Sequence, residues 1–313
     1  MIRFNWRPIR YILSSFMMIV WLLSCTHTAS FSTEKPAVQV PLTTDVTKTE
    51  KTSVSSSTVP TELARFSVCQ ESGEIERFSL SSKLMNGGLA FSVYFPPCYD
   101  ENAQETYPVV YLLHGQKQDD TLWEQLGLRQ TADALIQSGA VKPFLLVMPY
   151  EKYYWRSPDN TNFPQALLKE LIPWIEANLP ACNQRECRAI GGISRGASWA
   201  MRLALTEWQY FSAVGAHSLP PFYGDLRRLP KWLKGIPHDK LPRIYIDIGA
   251  KDPSVKDAYL FEQILNENGI LHEWHLNEGQ HNEAYWRTWM ADYLSWYTLP
   301  WRLEESMDDE LAK

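Results

Sequence analysis

The sequence lacks an apolar run long enough to cross a membrane comfortably. Residues 11–23 form an apolar run, but about 13 residues as a helix cover about 20 Å, against a hydrocarbon core of about 30 Å. Basic excess is also missing: 30 Lys and Arg stand against 36 Asp and Glu, a formal charge of −6. Such a surface repels phosphate backbones, which argues against a nucleic-acid partner. No close C-x-x-C pair occurs among the five cysteines, which fits poorly with structural zinc. Past residue 64 there are no internal repeats or low-complexity breaks, which excludes a solenoid or an array. What remains, 45% apolar and 21% charged, is the composition of a globular protein.

The first residues read as an export signal. Arg3, Arg7 and Arg10 form a basic start, and the apolar run ends in the small residues Ser24-Cys25. Leu22-Leu23-Ser24-Cys25 resembles a bacterial lipobox, with Cys25 as the lipidated residue; cleavage elsewhere in the leader and a retained, tilted anchor are the alternatives. From residue 25 to residue 64 the chain is rich in Thr, Ser, Val, Lys and Pro without periodicity, a solvated tether. The expected organisation is therefore a lipoprotein-type signal peptide over 1–24, a disordered tether over 25–64, a folded domain over 65–300 and an acidic tail over 301–313. The expected location is the cell envelope or beyond, with a membrane contact through the lipid anchor. Export leaves Cys69, Cys98, Cys182 and Cys187 as an even set in an oxidising compartment. Three pairings are open; Cys69 with Cys98 and Cys182 with Cys187 is favoured, because the second pair closes a short loop and the first ties an early strand.

Short apolar runs alternate with longer, helix-like ones, which predicts a single α/β domain. Strands are expected at 90–95, 109–113, 144–148, 188–193, 213–216, 244–248 and 273–276. Helices are expected at 121–138, 165–178, 196–206, 255–268 and 283–296, with a kink at Pro173, which lacks a backbone donor.

The chemistry concentrates at Gly192-Ile193-Ser194-Arg195-Gly196, a G-x-S-x-G between a strand-like and a helix-like run. Small residues two before and two after the serine are needed because a Cβ there collides with neighbouring backbone. A serine hydroxyl is a poor nucleophile at neutral pH, so a neutral imidazole must take its proton. His281, in the loop after the last predicted strand, is the candidate base. Asp252, in the loop after the strand before it, is the candidate orienting acid, and Asp247 within that strand is the runner-up. Leu112-Leu113-His114-Gly115-Gln116 ends another buried strand and suits a loop that supplies half of an oxyanion hole. The backbone N–H groups of Gln116 and Arg195 are the candidate donors. His114 is expected to order this loop. Trp123, Tyr150, Tyr153, Tyr154, Trp155, His217 and Trp286 are candidates for the substrate pocket, His217 foremost.

Together these residues resemble the esterase D and enterochelin esterase group of α/β hydrolases, which includes feruloyl esterases, S-formylglutathione hydrolases and mycolyltransferases. The likeness spans roughly residues 75–297 and rests on Val93-Tyr94-Phe95-Pro96-Pro97-Cys98-Tyr99, Tyr107-Pro108-Val109-Val110-Tyr111-Leu112-Leu113-His114-Gly115, Leu171-Ile172-Pro173-Trp174-Ile175-Glu176, the serine turn, and Gly279-Gln280-His281 with Trp286. It implies the α/β-hydrolase fold with a mostly parallel central sheet, a triad of Ser194, Asp252 and His281, and neither metal nor organic cofactor. Cys98 and Ala197 stand where the family often has glycine, and Gln116-Lys117-Gln118-Asp119-Asp120 does not match the S-formylglutathione hydrolases. The implied activity is hydrolysis of a carboxylic ester, free or linked to a polysaccharide. Acyl transfer to a sugar or lipid acceptor and a non-catalytic surface-binding role are the alternatives.

Overall fold

The computed structural model describes Cys69 and residues 71–302. The expected signal peptide, Cys25, the tether and the tail beyond Arg302 lie outside the described residues. Among the described residues no helix is long and apolar enough to cross a membrane.

Eight strands form one sheet in the order β1-β2-β4-β3-β5-β6-β7-β8. They are β1 (Glu74–Leu80), β2 (Leu89–Phe95), β3 (Val109–Leu113), β4 (Leu145–Pro149), β5 (Arg188–Ile193), β6 (Ala213–His217), β7 (Arg243–Gly249) and β8 (Glu273–Asn277). β2 runs antiparallel to both β1 and β4, and every pairing from β4 to β8 is parallel. Parallel strands need crossovers, and the helices that make them cover both faces, so the central strands are apolar throughout. The two-residue period divides the core: Val109, Tyr111 and Leu113 of β3 face one layer, and Val110 and Leu112 face the other.

The helices are α1 (Leu122–Gln125), α2 (Leu128–Gln137), α3 (Phe163–Ala166), α4 (Ile172–Asn178), α5 (Arg195–Thr206), α6 (Asp225–Lys234), α7 (Val255–Glu267), α8 (Glu283–Thr288) and α9 (Met290–Thr298). Helices α3 to α7 pack on one face. The other face receives α1, α2, α8 and α9.

Several features differ from the sequence expectation, among them the helix expected over 283–296, which is split into α8 and α9. The edge strand β1 is absent from it, because Glu74, Glu76 and Arg77 interrupt the apolar alternation on a strand that pairs on one side only. Helix α6 is also absent from it, its Leu226, Leu229 and Leu233 spacing obscured by Pro230 and four basic residues. The single helix expected over 121–138 is broken at Gly127, whose φ of 92° no helix accommodates. Around Pro173 the chain answers the missing donor with a wide π-turn, Leu167–Leu171, that connects α3 to α4 and keeps Leu167, Leu168 and Leu171 buried. The folded domain also runs past residue 300: Trp301 packs beside Phe144 and Arg302 bridges to Val141.

Two disulfides join Cys69 to Cys98 and Cys182 to Cys187, the favoured pairing. Among the described residues one cluster, Cys69, Glu71 and Cys98, has metal-ligand spacing, and its two sulfurs are tied up in the disulfide.

Candidate active site

Ser194 sits between β5 and α5 with φ 56° and ψ −120°, a conformation that L residues seldom adopt. The flanking glycines make it sterically accessible. A Cβ on Gly192 would lie 2.3 Å from the Gly196 carbonyl carbon, and one on Gly196 would lie 2.3 Å from the Leu113 oxygen. The Ser194 N–H donates to the His217 carbonyl at 2.9 Å, which ties the turn to β6.

The Ser194 hydroxyl lies 2.8 Å from His281 Nε2, and His281 Nδ1 lies 2.7 Å from Asp252 Oδ2. Their two loops are joined backbone to backbone, Ala250 N–H to Asn277 O at 2.7 Å and Lys251 N–H to Gly279 O at 2.9 Å. Asp252 is buried, and burial by itself pushes its carboxyl up. Hydrogen bonds from His281 and from the Ser254 N–H at 2.8 Å outweigh that and hold it below the ordinary carboxylate range. Asp252 is thus an ionised acceptor that faces the imidazole. Asp247, the runner-up, is fully buried within β7 and accepts from His217 at 2.6 Å, Tyr285 at 2.6 Å and Tyr293 at 2.8 Å.

The loop after β3 brings Gly115 against the serine: a Cβ there would stand 3.5 Å from Ser194 Cβ and 2.4 Å from the Gln118 side-chain oxygen. Among the described residues no acceptor engages the backbone N–H of Gln116 or of Arg195. The Arg195 N–H also opens the twelve-residue helix α5, where the dipole favours negative charge. The Arg195 side chain points elsewhere, forming a bidentate pair with buried Glu151 at 2.8 and 2.6 Å. His114 spans the same region: its Nδ1–H donates to Gly115 O at 2.7 Å, and its Nε2 accepts the Glu151 N–H at 2.8 Å. Burial pushes this imidazole below its ordinary value, so it is held neutral as that tautomer.

The pocket candidates separate. His217 is fully buried beneath the site, with both ring nitrogens engaged by Asp247 and Tyr297 and its ring stacked 3.6 Å from Tyr293, so it forms no pocket wall. Trp123 is likewise fully buried and packs edge-on to His217. Trp286 is buried too, but it flanks the site, edge-on to His281 at 5.3 Å. Trp155, 62% exposed, stands on a loop fastened to Arg195 through Glu151 and the Arg156 carbonyl. Glu151 escaped the sequence reading because no local motif marks it. A cavity of about 410 Å³ lined by Arg243, Glu273, His272 and Trp296 lies at the starts of β7 and β8, the opposite end of the strands from the triad loops.

Residues 82–297 match the family profile Esterase, described as "Putative esterase". The chain belongs to this esterase family. Over 161 residues it is 31% identical to the Mycobacterium tuberculosis esterase Rv1288, a match covering 49% of this chain and 32% of that protein. It is 29% identical over 174 residues to an endo-1,4-beta-xylanase/feruloyl esterase of Xylanibacter ruminicola, covering 52% of this chain and 24% of that one. The matched stretches therefore span a third or less of these curated relatives. Among solved structures, a ferulic acid esterase superposes with a TM-score of 0.64 at 22% identity, over 72% of this chain and 97% of its own. That likeness shows the α/β-hydrolase fold shared by this esterase-family chain.

Proposed function

We propose that the protein is an exported serine carboxylesterase that works through an acyl-enzyme on Ser194. The observation that carries the reading is the unbroken chain of hydrogen bonds from Ser194 Oγ through His281 to Asp252 at a strained strand-to-helix turn. In this reading Ser194 Oγ attacks the ester carbonyl carbon and its proton passes to His281 Nε2, while Asp252 stabilises the imidazolium. The carbonyl oxygen becomes an oxyanion received by the N–H groups of Gln116 and Arg195, where one donor is worth about 3 kcal/mol to the transition state. Collapse breaks the bond to the alcohol oxygen, which leaves with the proton from His281. Water then repeats the sequence, with His281 as base, and frees the acid. No step in this reading calls for a metal or an organic cofactor.

Membership of the esterase family and the feruloyl esterase activity in the names of its relatives support an ester substrate, small or polysaccharide-linked. Two disulfides and the leader-like start support an exported protein, held to a membrane through Cys25. The test is hydrolysis of p-nitrophenyl acetate and methyl ferulate by the wild type and Ser194→Ala. The reading expects turnover of at least one ester, lost in the variant by a factor of about 10⁴ or more. Turnover retained by Ser194→Ala removes Ser194 as nucleophile, and an inactive wild type removes the esterase.

A further inference from the structure

Five buried side chains form one polar cluster under the site, centred on the Asp247 carboxylate in β7. Oδ1 accepts from His217 Nδ1 at 2.6 Å, and Oδ2 accepts from the Tyr285 hydroxyl at 2.6 Å and the Tyr293 hydroxyl at 2.8 Å. Burial, and then the nearby Asp247 charge, push both phenols above their ordinary range, so they stay protonated and donate. His217 is held further by the Tyr297 hydroxyl, 3.0 Å from Nε2, and by Tyr293, stacked 3.6 Å away. An apolar cluster of similar volume serves stability as well or better. What a polar one adds is direction, because each hydrogen bond fixes the element at its other end.

Those elements carry the triad. The His217 carbonyl accepts the Ser194 N–H at 2.9 Å, so whatever holds His217 holds the strained turn of the nucleophile. Tyr285 lies against the loop of the base. Its ring covers Gly279 so closely that a Cβ there would overlap it, and its hydroxyl accepts from Asn277 Nδ2 at 3.3 Å, at the end of β8. His281 stands two residues beyond Gly279. Asp247 itself lies on the strand that leads to Asp252, and its carbonyl receives the Ser218 N–H at 2.8 Å, which ties the end of β6 to β7. One carboxylate is thus no more than one residue removed from each of the three segments on which Ser194, Asp252 and His281 sit.

We propose that Asp247 is a positioning residue for the triad: its carboxylate anchors His217 beneath the Ser194 turn and Tyr285 against the His281 loop, and so sets the 2.8 Å approach of Ser194 Oγ to His281 Nε2. It is no substitute for Asp252, since both of its oxygens are occupied and His281 turns its Nδ1 to Asp252. The inference rests on the serine-esterase reading above, and adds to it a buried polar anchor that touches no substrate.

Three variants of the full chain test it, with p-nitrophenyl acetate as substrate and thermal unfolding measured beside the kinetics. Asp247→Asn turns an NH2 group toward either His217 or the two tyrosines, whichever way the amide lies, so one set of donors loses its acceptor. Tyr285→Phe keeps the ring on Gly279 and removes only the hydroxyl. Both are expected to lose about tenfold in kcat with KM within about twofold of wild type, because a bond to a charged group is lost while substrate contacts remain. Leu265→Ala truncates a buried side chain of α7 in the core layer opposite the tyrosines; it is expected to lower the unfolding temperature and to keep the wild-type kcat. Wild-type kcat in either folded cluster variant overturns the proposal, and so does a loss confined to KM or an equal fall of kcat in Leu265→Ala. Tyr285→Phe decides alone if Asp247→Asn does not fold. An inactive wild type is a different result, since it removes the esterase reading itself.

Discussion

At Asp252 the cost of burying a carboxylate is offset by donors from two directions: His281 and the Ser254 N–H. Their combined effect keeps the group ionised, which the His281 tautomer with its proton on Nδ1 requires. Asp252→Asn presents an amide that can offer N–H in place of an acceptor, so it favours the wrong tautomer. Its kcat on an active ester is expected to fall by roughly 10³ to 10⁴ with little change in unfolding temperature, and steady-state kinetics beside thermal melts check this. A kcat within tenfold of wild type contradicts the role given to Asp252. Ser194, Asp252 and His281 were legible in the sequence because the serine turn has local steric demands and the other two follow strands in a fixed order. His217 and Trp123 were misplaced for a related reason. An aromatic at a strand end or in a loop has the same local pattern whether its ring meets substrate or the core, and only the packing of α8 and α9 decides it.

Among the elements, the segment after β4 and the start of α5 depend on one ion pair. Glu151 is buried, and its carboxylate takes both forks of Arg195, whose guanidinium also reaches the Arg156 carbonyl and lies 5.2 Å from the Phe222 ring. Glu151→Ala strands this guanidinium and is expected to cost about 3 kcal/mol, measurable by urea unfolding. It is also expected to lower kcat, because the Arg195 N–H is one of the two proposed oxyanion donors. Stability and rate both unchanged contradict this account of the segment. Nothing in Pro149-Tyr150-Glu151 announces the pair, since its partner lies 44 residues away. The central strands were readable from their unbroken apolar runs. Edge strand β1 and helix α6 were not, because each is half solvated and carries charges that mask its period.

At the scale of the whole molecule, His114 and Asp252 are among the described groups that couple folding to acid. His114 has a folded-state pKa below its unfolded value of about 6.5, so the unfolded chain binds the extra proton; its contribution is complete above about pH 6.5 and is lost as pH falls toward the folded value. Asp252 is lowered as well, and its contribution is complete above about pH 4 and is lost as pH falls further. The unfolding temperature is therefore expected to drop between pH 7.5 and pH 5.5 and again below pH 4; a flat profile over the first interval contradicts a neutral, buried His114. The fold that carries these groups follows from buried parallel strands and the glycines of the serine turn. The loop 151–156 was less legible, because its composition suits packing and recognition equally well. The central claim is that Ser194 is a nucleophile activated by His281, and labelling with a fluorophosphonate tests it most directly. Mass spectrometry of the digested full chain is expected to find a single covalent adduct on Ser194, greatly slowed in His281→Ala; no adduct on Ser194, or one formed equally fast without His281, contradicts the account.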